Sequence, residues 1–202
     1  MVIATGERRR KLQRSALSLA LCLVACADSN ERDLPFAGKN IVLVVVDTLR
    51  ADHLAPYGYE HDTAPLFSDL AREGLLAEGG WSTSSWTLPA TASLFTSLHP
   101  EQHGLLANNF EQAETRVNRL PASIETLPEV LRRHGYRTYG IADNFNINRE
   151  RAFDRGFDRF ETTRYVGAER VNATLRAWSD EITSGEGPFF VYLHYMDPHA
   201  PY

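Results

Sequence analysis

The sequence contains little cysteine: its two cysteines, Cys22 and Cys26, both lie within the first 26 of 202 residues. From residue 27 onward the chain has no side chain for a disulfide, a cysteine zinc site or a thiol nucleophile. Excess positive charge is lacking too, since the net charge is -5, and this balance does not suggest a nucleic-acid partner. The sequence has no internal repeats or low-complexity tracts, and its composition is that of one ordinary globular domain.

The N-terminal segment has the layout of a secretory signal. Five basic residues against one acidic residue give residues 1–25 a net charge of +4, which leaves -9 for the remainder. The apolar run 16–25 follows the basic residues and is too short to span a bilayer comfortably. Small residues come next, as at a signal-peptide cleavage site. A short N-terminal anchor helix is the alternative interpretation.

Residues 23–26, Leu-Val-Ala-Cys, resemble the bacterial lipobox, in which the cysteine becomes lipidated and forms the mature N-terminus. The resemblance implies a lipoprotein signal peptide over residues 1–25, a lipidated Cys26 and a polar tether over residues 26–38. Residues 39–202 then form the globular part. We expect an exported bacterial cell-envelope lipoprotein that faces the periplasm or the exterior, held on the membrane by its lipid anchor.

The globular part alternates strand and helix patterns. The unbroken run Ile41–Val46 predicts a strand buried on both faces, as in a parallel sheet. Further strands are predicted at Arg137–Ala142 and Phe189–Leu193. Helices are predicted between these strands, over 63–72 with Thr63 as its cap, about 88–98, after the capping box 126–129, and over 171–182. This alternation predicts an α/β fold with a mainly parallel sheet.

Asp47 closes the first predicted strand. In open α/β sheets, ligands bind beyond the carboxyl ends of the strands, and a carboxylate there can hold a hard divalent cation. The alternative is an aspartate that caps the loop or a nearby helix, because aspartates that end strands are common turn formers.

Thr87 stands just ahead of a predicted helix, after a run of hydroxyl residues. A hydroxyl in that position lies beside unpaired backbone N–H groups and the positive end of the helix dipole. This placement suits attack on an anionic ester, and a bound metal could activate the hydroxyl. The alternative is that Thr87 is only the N-cap of the helix.

The last nine residues carry His194, Asp197 and His199 after a predicted strand, a set that could hold a metal or an anion. Their spacing matches no zinc motif. The segment His99–Gly104 is a weaker candidate, which is read equally well as a packed turn.

Four segments in order, 40–54, 63–74, 86–104 and 189–202, resemble the sulfatase family of the alkaline-phosphatase superfamily. The resemblance implies a large, mainly parallel mixed sheet between helices. It also implies that Asp47 is a metal ligand, that Thr87 is the nucleophile, and that His199 contacts the anionic group or assists the leaving group. The expected cofactor is a divalent metal, calcium first, with manganese, magnesium or zinc as alternatives. The expected substrate is a small or polymeric anionic ester.

Three departures from the family pattern bear on the reaction. Thr48 replaces the second of two adjacent aspartates. Thr87 cannot become formylglycine, and Thr91 stands where formylglycine-type members have arginine. Residues 143–146 replace the family's lysine and histidine after its third strand. A threonine nucleophile is typical of relatives that transfer phosphoethanolamine or phosphoglycerol.

The expected function is therefore a metal-dependent hydrolase of sulfate or phosphate esters. A phosphoethanolamine- or phosphoglycerol-type transferase and a non-catalytic lipoprotein binding module with the same fold are the alternatives. Family domains are much longer than this chain, which ends within a candidate active-site loop at Tyr202. We therefore expect the fold to be incomplete at the C-terminus and the 202-residue chain to have poor or absent activity alone.

Overall fold

A computed structural model describes residues 38–106 and 118–199, which belong to one compact unit, Gly38–Tyr202. The predicted signal peptide, the lipidated Cys26 and nearly all of the tether lie outside the described residues. Among the helices within those two ranges, none is long and apolar enough to cross a membrane.

The described residues form a parallel sheet of four strands at the centre of the fold. They are β1 (Ile41–Val46), β2 (Arg137–Ala142), β3 (Arg159–Thr162) and β4 (Phe189–Tyr195). Their order across the sheet is β1-β4-β2-β3, and every neighbouring pair is parallel. The α/β class and the parallel sheet are therefore confirmed. Because all strands run the same way, their carboxyl ends meet at one edge of the sheet.

The described residues also form five α-helices and two 3-10 turns. The helices are α1 (Pro65–Glu73), α2 (Thr87–Thr96), α3 (Pro100–His103), α4 (Leu127–Arg133) and α5 (Ala168–Ser184), and the turns are Ala51–His53 and Ala55–Tyr57. The predicted capping box of α4 is present, since the Thr126 N–H donates to the Glu129 carboxylate at 2.9 Å.

Side-chain alternation along β4 builds two hydrophobic layers. Phe190 and Tyr192 face one side of the sheet, where Phe95 of α2 packs edge-on against Tyr192 with ring centroids 4.9 Å apart. Val191 and Leu193 face the other side, where they join a cluster with Trp178 of α5. The sheet is thus covered on both faces, with α2 and α5 on opposite sides.

Strand β1 departs from the expectation of burial on both faces. Ile41, Leu43 and Val45 pack on the side of α2, but Val42 is 57% exposed and Val44 is 45% exposed. The reason is topological, because β1 is the edge strand of the described sheet and α5 packs over β2 and β4.

The predicted cap of the first helix is wrong, although the helix itself is present. Helix α1 begins at Pro65 with Ala64 at the N-cap. The Thr63 hydroxyl donates instead to the His53 carbonyl oxygen at 2.8 Å. Thr63 therefore ties the segment before α1 to the first 3-10 turn.

Candidate active site

Asp47 follows β1 directly at the carboxyl edge of the sheet. Its N–H donates to the Tyr195 carbonyl oxygen at 2.9 Å, which continues the pairing of β1 with β4 by one residue. The next residue, Thr48, takes a left-handed conformation with φ of 56° and turns the chain away from the sheet. The carboxylate is held at the strand's end, and only 13% of its side chain is exposed.

Thr87 is brought to Asp47 across 40 residues of sequence. Its hydroxyl donates to Asp47 Oδ2 at 2.7 Å. Thr87 is the first residue of α2, and the N-cap is Trp86. The interpretation of Thr87 as only a helix cap is therefore wrong, because its hydroxyl is committed to a carboxylate on another element.

The serine-rich loop before α2 is shaped by its own hydroxyls. Ser84 Oγ accepts the Trp86 N–H at 3.1 Å, and Ser82 Oγ donates to the Ser84 carbonyl oxygen at 2.7 Å. Such local side-chain bonds favour turns over helix, and α2 begins only after them. The predicted helix start, about 88, is one residue late. Thr87 and Leu88 place their backbone N–H groups at the helix N-terminus, where anions are favoured.

His194, one of the candidates named from the sequence, lies beside this pair. It lies within β4, opposite Val45 and Ala142, rather than in the loop where it was expected. Its ring is 1% exposed, and its Nε2 lies 3.4 Å from Asp47 Oδ2. Its Nδ1 is buried, with no hydrogen-bond partner among the described residues. The period-two pattern of the strand, which puts His194 on the same face as Tyr192, is the sequence signal for the burial of His194.

The surroundings of Asp47 favour its charged form. Burial acts to raise the pKa of Asp47, but the hydrogen bonds from His194 and Thr87 and the charges of His194 and His199 outweigh it. The net result is a pKa below the ordinary value of 3.8. Asp47 is therefore an anion at neutral pH.

His199 lies in the turn after β4, where its N–H donates to the Met196 carbonyl oxygen at 2.8 Å. Because β4 runs parallel to β1, the turn after β4 and Asp47 lie at the same edge of the sheet. The ring stacks on Tyr165, with centroids 6.1 Å apart and an interplanar angle of 27°. Asp47, Thr87 and His199 are thus gathered at one end of the fold, with Thr87 and Asp47 in direct contact.

The segment 143–146, which departs from the family pattern, and the weaker candidate His99–Gly104 both make packing contacts in the structure. Asp143, in the segment that departs from the family pattern, is fully buried and accepts hydrogen bonds from Thr163 and from the backbone of the same loop. His103 is buried as well, and its Nε2 lies 3.1 Å from Ser93 Oγ, while its Nδ1 accepts the Leu105 N–H. Burial lowers the pKa of His103, so this neutral ring joins α2 to α3 as part of a packed turn.

An open pocket of about 390 Å³ lies over the pair and is lined by Asp47, Thr48, Ser84, Trp86, Thr87 and His194 among others. Asp47 is a suitable oxygen ligand for a divalent cation. In the part of the chain that the structure describes, no group of three or more His, Cys, Asp or Glu side chains is gathered to hold a metal. The described residues therefore fit one carboxylate ligand of a metal site and not a complete site.

The fold and this arrangement define a parallel α/β domain with a hydroxyl, a carboxylate and imidazoles at the carboxyl edge of its sheet. The sequence profile of the Sulfatase family matches residues 39–202. The chain therefore belongs to the sulfatase family, as the resemblance implied.

Particular relatives show how much of a family member is present. The chain is 28% identical over 144 residues to an arylsulfatase of Hemicentrotus pulcherrimus, covering 64% of this chain and 25% of that protein. The curated relatives it matches are covered over a fifth to a third of their length. The activities of these relatives are therefore not assigned to this chain from the match alone.

Two solved structures share the fold at low sequence identity. The phosphonate monoester hydrolase of Agrobacterium radiobacter superposes with a TM-score of 0.61 at 17% identity, covering 81% of this chain and 42% of that one. BT4656, solved with its substrate D-glucosamine-2-N,6-O-disulfate, superposes with a TM-score of 0.65 at 16% identity, covering 80% of this chain and 35% of that one. A phosphonate monoester hydrolase and a protein that binds a disulfated glucosamine thus share this architecture.

Proposed function

We propose that this chain provides the nucleophile and its immediate surroundings in a hydrolase of sulfate or phosphate esters. The observation that carries the proposal is the 2.7 Å hydrogen bond from the Thr87 hydroxyl to the Asp47 carboxylate at the sheet's carboxyl edge. A hydroxyl held by an anion at a helix N-terminus is oriented for attack on an anionic ester centre.

The metal requirement belongs to the proposal. Sulfatase-family members generally use a divalent metal ion, and in this chain Asp47 would be its ligand, with His194 at its side. Oxygen ligands suit calcium, magnesium or manganese, of which calcium is our first choice, and zinc is a further candidate. When bound, the ion would supply positive charge that lowers the pKa of the Thr87 hydroxyl and offsets the ester's negative charge.

The reaction would proceed in two displacements at Thr87. The Thr87 hydroxyl gives up its proton to solvent, and its Oγ forms a bond to the sulfur or phosphorus of the ester, while the bond from that atom to the leaving alcohol's oxygen breaks. His199 donates a proton to the departing oxygen, or else holds the anionic group. Water then cleaves the threonine ester, which restores the Thr87 hydroxyl and releases sulfate or phosphate.

Both alternatives use the same residues differently. A phosphoethanolamine- or phosphoglycerol-type transferase would form the same threonine ester and pass the group to an acceptor alcohol in place of water. A non-catalytic binding module would keep the ion at Asp47 and show no turnover. The sequence similarity to an arylsulfatase favours hydrolysis over the two alternatives.

Export and lipidation are proposed together with the enzyme function. A lipid on Cys26 would place the domain at a membrane surface in the periplasm or the exterior, where its substrates would be small or polymeric anionic esters. Replacing Cys26 with Ala should release the protein from the membrane fraction of a bacterial host. Unchanged membrane association of that variant would contradict the lipid anchor.

The function is tested by the hydrolysis of matched aryl sulfate and aryl phosphate esters by the full chain in detergent, with each divalent metal added in turn. The variants are Thr87→Ala, Thr87→Ser, which keeps a hydroxyl, and Thr83→Ala, which removes an exposed hydroxyl earlier in the same loop. Turnover by this chain alone is expected to be weak. Whatever metal-dependent turnover it has should be abolished by Thr87→Ala only, and the preferred ester identifies the substrate class. Turnover that persists in Thr87→Ala would contradict the proposal, and metal binding at Asp47 without turnover would support the binding module.

A further inference from the structure

The segment Thr163–Gly167 lies between β3 and α5, beside the turn that carries His199. Its central residue, Tyr165, has a φ of 53°. This left-handed conformation is unfavourable for an aromatic residue, and it persists in folded proteins only where the surroundings fix it. The segment therefore requires a specific anchor.

Asp143 is that anchor. It follows β2 at the carboxyl edge and is fully buried. Its Oδ1 accepts the Thr163 hydroxyl at 2.7 Å and the Val166 N–H at 3.0 Å, and its Oδ2 accepts the Gly167 N–H at 2.9 Å. Both oxygens of a buried carboxylate are thus used to hold the residues on either side of Tyr165.

A second link joins this segment to the turn of His199. Asp197, two residues before His199, accepts the Ala168 N–H at 3.0 Å. Ala168 is the first residue of α5 and directly follows the segment. The relative position of Tyr165 and His199 is therefore fixed by hydrogen bonds that flank both residues.

The ring of Tyr165 lies between two other rings. It stacks on His199 with centroids 6.1 Å apart, and it meets Phe145 edge-on with centroids 5.4 Å apart. Both separations are within the range of favourable aromatic pairs. Burial raises the pKa of the Tyr165 phenol, and the charges of Asp47 and Asp143 raise it further.

We propose that Tyr165 is the positioning residue of His199. The strained segment held by Asp143 presses the phenol ring against the imidazole, so that His199 keeps one orientation near Asp47. The proposal rests on the proposed function, because it gives His199 a part in ester cleavage. The ring, rather than the hydroxyl, carries the effect.

The first test is nuclear magnetic resonance of the His199 imidazole in the full chain, assigned with His199→Gln. Tyr165→Leu and Tyr165→Gly both remove the ring. Glycine adopts a positive φ without strain, so Tyr165→Gly is expected to keep the fold even if Tyr165→Leu does not. Tyr165→Phe keeps the ring. Tyr59→Leu is the matched control, because the Tyr59 ring packs against the His53 ring, tilted by 32° and with centroids 5.1 Å apart, in another part of the chain.

We expect the His199 signals to move when the ring of Tyr165 is lost, and to stay in place in Tyr165→Phe and Tyr59→Leu. Unchanged His199 signals in Tyr165→Gly would overturn the proposal. This measurement needs no turnover, so it is independent of the outcome of the ester assay.

The second test is kinetic and separates positioning from packing. Loss of the ring should lower kcat/KM for the preferred aryl ester by about two- to tenfold, and Tyr165→Phe should restore it. A Tyr165→Gly variant that turns over as fast as the wild-type chain would also overturn the proposal. Absence of turnover in the wild-type chain would count against the proposed function alone and leave the resonance result to decide the role of Tyr165.

Discussion

The hydrogen bond from Thr87 to Asp47 can be measured through its effect on the free energy of unfolding. Thr87→Val keeps the shape and β-branching of the side chain and deletes the donor. A hydrogen bond to a charged group contributes about 1.5–3 kcal/mol, and we take the lower end because 13% of the Asp47 side chain is open to water that can replace the hydroxyl. The expected loss is therefore about 1.5 kcal/mol.

The assay is urea unfolding followed by tryptophan fluorescence, for which the chain has three tryptophans. With a slope of about 2 kcal/mol per molar urea, the loss lowers the unfolding midpoint by about 0.7 M. Thr83→Val is the control, because it changes an exposed threonine in the same loop and should shift stability by less than about 0.5 kcal/mol.

A double-mutant cycle with Asp47→Ala then assigns the loss to the pair. If the hydroxyl stabilises the fold through Asp47, the two changes are non-additive by about 1 kcal/mol, whereas independent sites add within about 0.5 kcal/mol. Additive losses would refute the reasoning, because they would show that Thr87 acts on stability without its bond to the carboxylate.

Three further outcomes are expected. Because the pKa of Asp47 lies below 3.8 in the folded chain, its contribution to stability is present above that pH and is lost as the pH falls through the lower folded pKa. In an acid titration, Asp47→Asn should therefore lose less of its free energy of unfolding than the wild-type chain. Equal losses in the two proteins would contradict this. Gly156→Ala should cost more than about 3 kcal/mol in urea unfolding, since φ is 80° and a Cβ would lie 2.2 Å from the Glu129 nitrogen. Gly58→Ala should cost about 1–2 kcal/mol, because φ is 97° but no atom of the described residues lies within 4 Å of the added Cβ. Equal costs for Gly156→Ala and Gly58→Ala would refute the steric argument. Thr126→Ala should cost about 1 kcal/mol through loss of the capping box, whereas Thr126→Ser should retain most of the stability that the cap provides. A Thr126→Ala variant as stable as the wild-type chain would argue against the cap.

The sequence predicts the elements whose signals are local. β1 has the predicted bounds because Asn40 and Asp47 interrupt its apolar run. β2 has them because it lies between the turn at Gly135 and Asp143, and α4 begins at its capping box. β4 runs two residues beyond its predicted end, since pairing with β1 and β2 extends it through His194 and Tyr195. β3 was missed because Arg-Phe-Glu-Thr has little strand pattern, and pairing with β2 forms it.

The candidate site likewise has one part that the sequence predicts and another that it does not. The position of Asp47 at the carboxyl edge follows from the strand that precedes it. The bond between Thr87 and Asp47, the burial of His194 beside them and the anchoring role of Asp143 depend on contacts between distant parts of the chain. No local pattern specifies such contacts. The resemblance to the sulfatase family named Asp47, Thr87 and His199 together, and their assigned roles remain predictions.

The central claim is that Thr87 becomes esterified during turnover. The most direct measurement is mass spectrometry of the full chain after acid quenching of its reaction with the preferred aryl ester and metal. The account predicts one sulfo or phospho group on the peptide that contains Thr87, and its loss in Thr87→Ala. Turnover without any such adduct at Thr87, or an adduct that persists in Thr87→Ala, would contradict it.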